Sequence, residues 1–307
     1  MSALSTSLSK AKGLINRSGF PYRAAPTPYG VEPPPPKKTT GSDFDTDWAR
    51  KYPARLTRAM LIEGFMRPAM KAIADPQISG IDRLSGLDGP VIFAANHHSH
   101  ADTPLLLSTI PDPWRHHVVV GAAADYFFGT RVGGTISALT LNAVPIERTK
   151  VGRRSAEMVR DLINEGWSLI IFPEGGRSPD GWGQPFRGGA AYLAIRCGVP
   201  VVPIHIYGTG KILRKGKTLP RPSSTQVTFG DPLLPAEGEN AKKFAVKLEA
   251  AVAALADEAS TDWWQARRRS YSASSPDLTG PDAGGWRRIW ALGKSDRKSQ
   301  RRRWPDF

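Results

Sequence analysis

Pro90-Val91-Ile92-Phe93-Ala94-Ala95-Asn96-His97-His98-Ser99-His100-Ala101-Asp102 is the stretch on which the fold reading turns. Residues 90–95 are an unbroken apolar run, of the length expected for a strand covered on both faces. The polar residues come where that strand ends, and the segment after Asp102 reads as a helix. A strand that passes into a helix through a short polar turn is the unit of an α/β sheet, and such turns project side chains into a site.

The same alternation continues outward from this unit. Residues 116–124 read as a second strand, residues 153–165 as a helix, and residues 168–171 as a buried strand that ends in a Pro-Glu-Gly turn. Residues 186–198 then read as a helix stopped by Gly198, residues 200–208 as a strand and residues 225–233 as another. Residues 240–259 are Ala-rich, with Phe244, Leu248, Val252 and Leu255 on one face, and form a closing helix. No internal repeat is apparent, and strands separated by helices give an α/β core, a sheet flanked by helices.

Upstream of that core, Leu56, Met60, Leu61, Phe65, Met66, Met70 and Ile73 recur at helical intervals among Arg55, Arg58, Arg67 and Lys71. They make a basic amphipathic segment, interrupted by Pro68, that either packs on the core or lies on a membrane surface. Residues 1–47, which include Pro33 to Pro36 followed by Lys37 and Lys38, read as a flexible arm that cannot bury enough apolar surface to offset chain ordering. The globular domain is expected over residues 48–264. Residues 265–307 hold eleven Lys/Arg against four Asp, a net +7, with Trp286, Trp290 and Trp304 among them. Both termini are expected to be disordered.

The 307 residues carry 42 Lys/Arg and 28 Asp/Glu, a formal charge of +14, which points to a polyanionic partner: nucleic acid or an anionic membrane. The basic, Trp-bearing tail suits an anionic lipid surface, where each Lys or Arg is worth ~1 kcal/mol. A single cysteine, Cys197, excludes an intramolecular disulfide and fits a reducing compartment. No apolar run approaches the ~18–20 residues that cross a bilayer, so a peripheral association at the cytoplasmic face is the expectation.

Four short blocks carry chemistry. In the first, His97 and Asp102 are separated by four residues; an imidazole is a proton acceptor at neutral pH, and a carboxylate on its second nitrogen fixes the tautomer. Two other readings of this block stay open: three histidines as metal ligands, or polar loop residues beside a helix cap. The second block is Val144-Pro145-Ile146-Glu147-Arg148. The third is Phe172-Pro173-Glu174-Gly175-Gly176-Arg177-Ser178, whose guanidinium and glycine turn suit a phosphate. The fourth, Val199-Pro200-Val201-Val202-Pro203, has no ionisable group. Cys197, among apolar neighbours and with no histidine beside it, reads as a structural thiol and not as a nucleophile.

In this order and at these separations, the four blocks resemble those of the glycerolipid acyltransferases, and of that family's 1-acylglycerol-3-phosphate branch in particular. The resemblance covers roughly residues 85–235 and implies a glycerol-3-phosphate acyltransferase-like sheet. It implies that His97 removes the proton of an acceptor hydroxyl as that hydroxyl attacks an acyl thioester, with Asp102 orienting the ring. Ser99 would be structural or substrate-positioning; Arg148, Glu174, Gly175 and Arg177 would shape the acceptor site, and Pro200 the acyl-chain site.

The implied co-substrates are acyl-CoA or acyl-ACP and a lysophospholipid acceptor such as lysophosphatidate, with no cofactor and no metal. The chain departs from the family pattern at His98, where Arg is frequent, at Glu147, where Asp is frequent, and at Gly176, where Thr is common. Another lipid alcohol as acceptor is therefore an alternative. A basic nucleic-acid-binding protein is a further one, which accounts for the charged termini but not for the four blocks.

Overall fold

A computed structural model describes residues 41–147, 152–178, 181–213 and 219–279 of the chain. Most of the expected 1–47 arm lies outside the described residues, but from Gly41 the chain already rests on the domain. Phe44 packs against Phe128 with ring centroids 5.3 Å apart, Thr46 is buried, and Asp43 pairs with Arg154. Residues 41–47 therefore belong to the packed domain, because an aromatic side chain with a pocket to fill docks its neighbours as well.

A long helix follows, built from α1 (Tyr52–Leu61), a π-helical turn (Ile62–Met66) and α2 (Arg67–Ala74). Pro68 does not interrupt it. The proline sits in the first turn of α2, and its missing N–H falls where the wider turn has already broken the regular bonding ladder. Strand β1 (Pro76–Ser79), absent from the sequence reading, comes next. The core then alternates β2 (Ile92–Ala95), α3 (Asp102–Thr109), β3 (Val118–Ala123), α4 (Arg131–Leu141), β4 (Ala143–Ile146), α5 (Arg153–Asn164), β5 (Ser168–Ile171), α6 (Gly189–Cys197), β6 (Val201–Tyr207) and β7 (Thr225–Phe229). Two helices close it, α7 (Ala241–Ser260) and α8 (Trp263–Tyr271). The expected boundary at 264 thus falls inside a helix, which Asp262 caps and an Arg269–Asp257 ion pair fastens to α7.

The seven strands form one mixed sheet in the order β1-β7-β6-β2-β5-β3-β4. From β6 to β4 all neighbours are parallel; β7 runs antiparallel to β6, and β1 follows β7. The central strands are buried on both faces, which is why β2 reads as a continuous apolar run. Phe93 and Ala95 join the layer with Leu105 and Leu106 of α3 and Met70 of α2, whereas Ile92 and Ala94 join the layer with α5, α6 and Phe244 of α7. Burying each such leucine or isoleucine is worth about 1.5–3 kcal/mol.

One charged residue reverses its expected place. Arg58, placed by the sequence on the solvated flank of the amphipathic segment, is buried. Its Nη1 donates to the carbonyl of Ala49 at 2.9 Å and, more weakly, to those of Ala138 and Leu139 near the C-terminus of α4. Burial, with Arg55 and Arg50 nearby, lowers its pKa to about 10. The carbonyl end of a helix is where a cation is favoured, so Arg58 pins α1 to α4. The apolar side chains Tyr52, Leu56, Met60 and Phe65 are left exposed on the other side.

Candidate active site

The loop after β2 is fixed before it reaches its histidines. The Asn96 amide donates to the Ile206 carbonyl at 2.8 Å and accepts the Ile206 N–H at 2.7 Å, which staples the end of β2 to β6. Asp102, in the first turn of α3, reaches back over the loop. Its Oδ2 accepts the N–H groups of His98 at 2.7 Å and Ser99 at 2.8 Å and lies 2.8 Å from Nδ1 of His97. A carboxylate oxygen only accepts, so Nδ1 carries the proton of the neutral ring and Nε2 is the basic nitrogen. The ring stacks on Phe172 at 4.1 Å, and Asp102 is fully buried with Oδ1 unpartnered among the described residues. Such a carboxylate stabilises positive charge on the imidazole beside it.

The third block closes over the same histidine. Gly175, at φ +70, completes a tight turn in which its N–H donates to the Phe172 carbonyl at 3.0 Å. The buried Glu174 carboxylate accepts the His97 N–H through Oε1 at 2.8 Å and the Gln184 N–H through Oε2 at 2.9 Å. From the other side, the Ser178 N–H donates to the His97 carbonyl at 2.8 Å. Burial pushes the Glu174 carboxyl up to about 8; the two N–H bonds pull it down, and the charges of Asp102 and Glu249 add to the rise.

A cavity of about 350 Å³ opens at the carboxyl ends of β2, β3 and β5, the usual place for a ligand in such a sheet and of a size that suits a small-molecule portion. His97, His100, Glu147, Gln184, Arg177 and Arg187 supply its polar groups; Val120, Ile146, Ile171 and Phe127 form an apolar wall. Burial, then the charges of Arg177 and His97, lowers the His100 pKa to about 4, so this ring stays neutral where it stacks on Tyr126 at 5.8 Å. A larger cavity of about 570 Å³ lies between residues 47–51 and α5, but charged side chains of both signs line it and it holds no histidine.

The structure brings together His97, Asp102, Glu174, Gly175 and Arg177, keeps Ser99 in the loop that carries the first two, and sets Pro200 apart. Ser99 is wholly buried, donating to the Leu213 carbonyl and accepting the Ala101 N–H, so it braces the loop instead of meeting a substrate. Glu174 binds backbone amides and is absent from the cavity wall. Pro200 precedes β6 and pairs through its carbonyl with the Ile92 N–H, at the end of the sheet opposite His97. The acyl-chain role implied for it does not fit that place. Arg148 lies outside the described residues.

Cys197 ends α6 away from the cavity, and burial raises its thiol pKa. Among the described residues no group of three or more His, Cys, Asp or Glu is placed to hold a metal ion. Arg187 was missed because residues 186–198 read as one helix, and Gln184 because the stretch before that helix carried no reading. The helix starts only at Gly189, and the paired glycines 188 and 189 were the available signal.

Comparison with known proteins gives three findings. Residues 75–207 match the family model described as Acyltransferase. The chain is 35% identical over 141 residues to a chloroplastic 1-acyl-sn-glycerol-3-phosphate acyltransferase of Brassica napus, a match covering 45% of this chain and 39% of that protein. An Arabidopsis thaliana protein of the same description is 33% identical over 147 residues, covering 45% and 38% respectively. The match therefore spans about two fifths of the length of these relatives. The crystal structure of a 1-acyl-sn-glycerophosphate acyltransferase from Thermotoga maritima superposes with a TM-score of 0.51 at 26% identity, over 68% of this chain and 80% of that one.

Proposed function

We propose, from the match of residues 75–207 to the Acyltransferase family model, that this chain belongs to that family and transfers a fatty acyl group from acyl-CoA or acyl-ACP to the free hydroxyl of lysophosphatidate, giving phosphatidate. The observation that carries this reading is the 2.8 Å contact of His97 Nδ1 with the buried Asp102, at the wall of a cavity that also holds two arginines.

In the proposed reaction Nε2 of His97 takes the hydroxyl proton as the oxygen attacks the thioester carbonyl. The tetrahedral intermediate then expels the thiolate, which recovers the proton from the imidazolium and leaves as a free thiol. Asp102 keeps Nδ1 protonated and stabilises the imidazolium. No covalent enzyme intermediate is needed, because Cys197 is away from the cavity. A positioned base of this kind contributes about 100- to 10,000-fold in rate.

The test is release of free CoA from a long-chain acyl-CoA, with and without lysophosphatidate, by the wild type and His97→Ala. Acceptor-dependent release that drops about 100- to 10,000-fold in a variant of unchanged melting temperature is expected. Release independent of the acceptor points to a thioesterase, and wild-type turnover by a folded His97→Ala protein overturns the role of the histidine. A second acceptor class, a lysophospholipid with a larger headgroup, is favoured by one observation: a Cβ at Gly176 would meet nothing within 4 Å, so the place where the family commonly carries threonine is open space.

We also propose a peripheral membrane seat. No helix among the described residues is long and apolar enough to cross a membrane. Met60 and Phe65 are 60% and 68% exposed, beside Arg55, Arg67 and Lys71, and Val132 and Ile136 stand exposed on α4, the helix to which Arg58 pins α1. Apolar side chains in a basic setting suit an anionic lipid surface, and the single thiol of Cys197 fits the reducing, cytoplasmic side.

A further inference from the structure

We propose that the segment Pro276–Thr279 is a positioning strap for the loop that carries Gln184 and Arg187 to the cavity wall, with the Leu278 carbonyl as its point of attachment. The proposal rests on the acyl-transfer reading of that cavity and adds to it a positioning residue outside all four sequence blocks.

Residues 181–187, Gly-Trp-Gly-Gln-Pro-Phe-Arg, form neither helix nor strand, so their backbone must be held by other elements. From Gly183 to Arg187 the N–H groups alternate between two sides. Inward, the Gln184 N–H donates to Glu174 Oε2 and the Arg187 N–H to the Pro173 carbonyl, both at 2.9 Å. Outward, the Gly183 N–H donates to the Leu278 carbonyl and the Phe186 N–H to Glu249 Oε2 on α7, again at 2.9 Å. The loop is clamped between the turn after β5 and the C-terminal elements, and Gln184 and Arg187 line the cavity from that clamp.

A closed turn brings the strap to the loop. After α8 the chain reverses at Ala273, whose φ is +52; the Ala273 N–H donates to the Ser270 carbonyl at 3.2 Å and the Ser274 N–H to the Arg269 carbonyl at 2.8 Å. An alanine stays in the left-handed region only where its surroundings fix it there. At the other end Gly183 is buried, and a Cβ built on it would stand 3.0 Å from Leu278 Cβ and 3.3 Å from the Leu278 carbonyl oxygen. Its φ is not left-handed, so the glycine serves the close approach of the strap and not the shape of the loop.

The attachment lies a short way from the base. Gly183 adjoins Gln184, whose N–H holds one oxygen of Glu174, and the other oxygen holds the His97 N–H. His97 is held independently by Asp102 and by the Ser178 N–H. Release of the strap is therefore taken up by the loop: the cavity wall shifts and the base stays in line, which is a change in binding and not in chemistry.

Two substitutions in the full chain free the strap from opposite ends. Gly183→Val wedges it off the loop, and Ser274→Pro removes the N–H that closes the turn. With detergent-dispersed substrates, both should raise KM for lysophosphatidate or the acyl thioester about 3- to 10-fold, the range one neutral hydrogen bond commands, with kcat within about twofold. Gly188→Ala, whose Cβ would meet nothing within 4 Å, should change neither. A KM rise in only one of the two strap variants, unchanged KM in both, or a fall in kcat alone overturns the strap.

Hydrogen exchange gives a readout without turnover. In both variants the Gly183 and Gln184 amides should exchange faster than in the wild type while the His97 amide keeps its protection. Faster exchange at Gly183 with Gln184 unaltered would mean a contact that positions nothing, and would overturn the proposal. If the wild type fails to acylate lysophosphatidate, the acyl-transfer reading falls alone, and the exchange pattern still judges the strap.

Discussion

A histidine whose Nδ1 is engaged by a buried carboxylate offers only Nε2 to a hydroxyl, so the partner of His97 is as exposed to test as His97 itself. Asp102→Asn keeps an oxygen for the His98 and Ser99 amides and for Nδ1 but loses the negative charge that stabilises the imidazolium, and kcat should fall about 100- to 10,000-fold with KM little changed. A variant that lost stability and kcat together would mean that the carboxylate serves the loop first.

Glu174 makes a different prediction. Its folded pKa of about 8 stands above the ordinary 4.5, so the native state holds a proton that the unfolded chain has released. The stability linked to that proton is complete below about 4.5 and is lost as pH rises through about 8. The melting temperature of the wild type should therefore decline over that window more steeply than that of Glu174→Gln. Parallel curves would show that the carboxyl does not keep its proton.

Among the elements, the helix from Tyr52 to Ala74 shows what periodicity can and cannot convey. The apolar spacing was legible, and the structure divides its side chains between the core and the exposed surface. Ile62, Met70 and Ala74 face inward, while Leu56, Met60 and Phe65 face out. A stripe count could not foresee this, because the π-helical turn adds a residue to one turn and rotates everything after it.

The strands β2, β3, β5, β6 and β7 and the helices α3, α5, α6 and α7 were legible from apolar runs and their stops. Strand β1 was not, since Pro76–Ser79 is a largely exposed edge strand with no apolar run to announce it. Of the site, the histidine, its carboxylate and the glycine turn after β5 were legible. Pro200 lies away from the cavity, because a resemblance names positions without saying which end of a strand they occupy, whereas the structural reading of Ser99 fits its place in the loop. For the outward face, Met60→Glu or Phe65→Glu should weaken partition onto phosphatidylglycerol vesicles about 5- to 10-fold per residue and leave the melting temperature unchanged. Unaltered co-sedimentation with the vesicles would send the seat elsewhere.

For the whole molecule, the charge is unevenly placed. Residues 280–307 carry eight Lys/Arg against three Asp, a net +5 of the total +14. Deleting them should lower salt-sensitive binding to anionic vesicles while sparing CoA release from detergent-dispersed substrate. Cutting earlier, at 265, is the wrong experiment, because it removes Arg269 and leaves the buried Asp257 without its ion-pair partner. Vesicle binding equal to that of the full chain would remove the tail from the interaction.

The two hydrogen bonds that grip the backbone of His97, from its N–H to Glu174 and from Ser178 to its carbonyl, make the histidine loop and the Phe172–Ser178 turn a single mechanical part. A turn that swung out to admit a bulkier headgroup would carry the histidine off its line of attack. On the proposed function, drift in acceptor preference would thereby be channelled into substitutions on the rim, such as at Gly176 and Gln184, and away from loop rearrangement. A graft that transplants the turn into another protein must bring its anchoring glutamate, or it delivers a pocket without a working base.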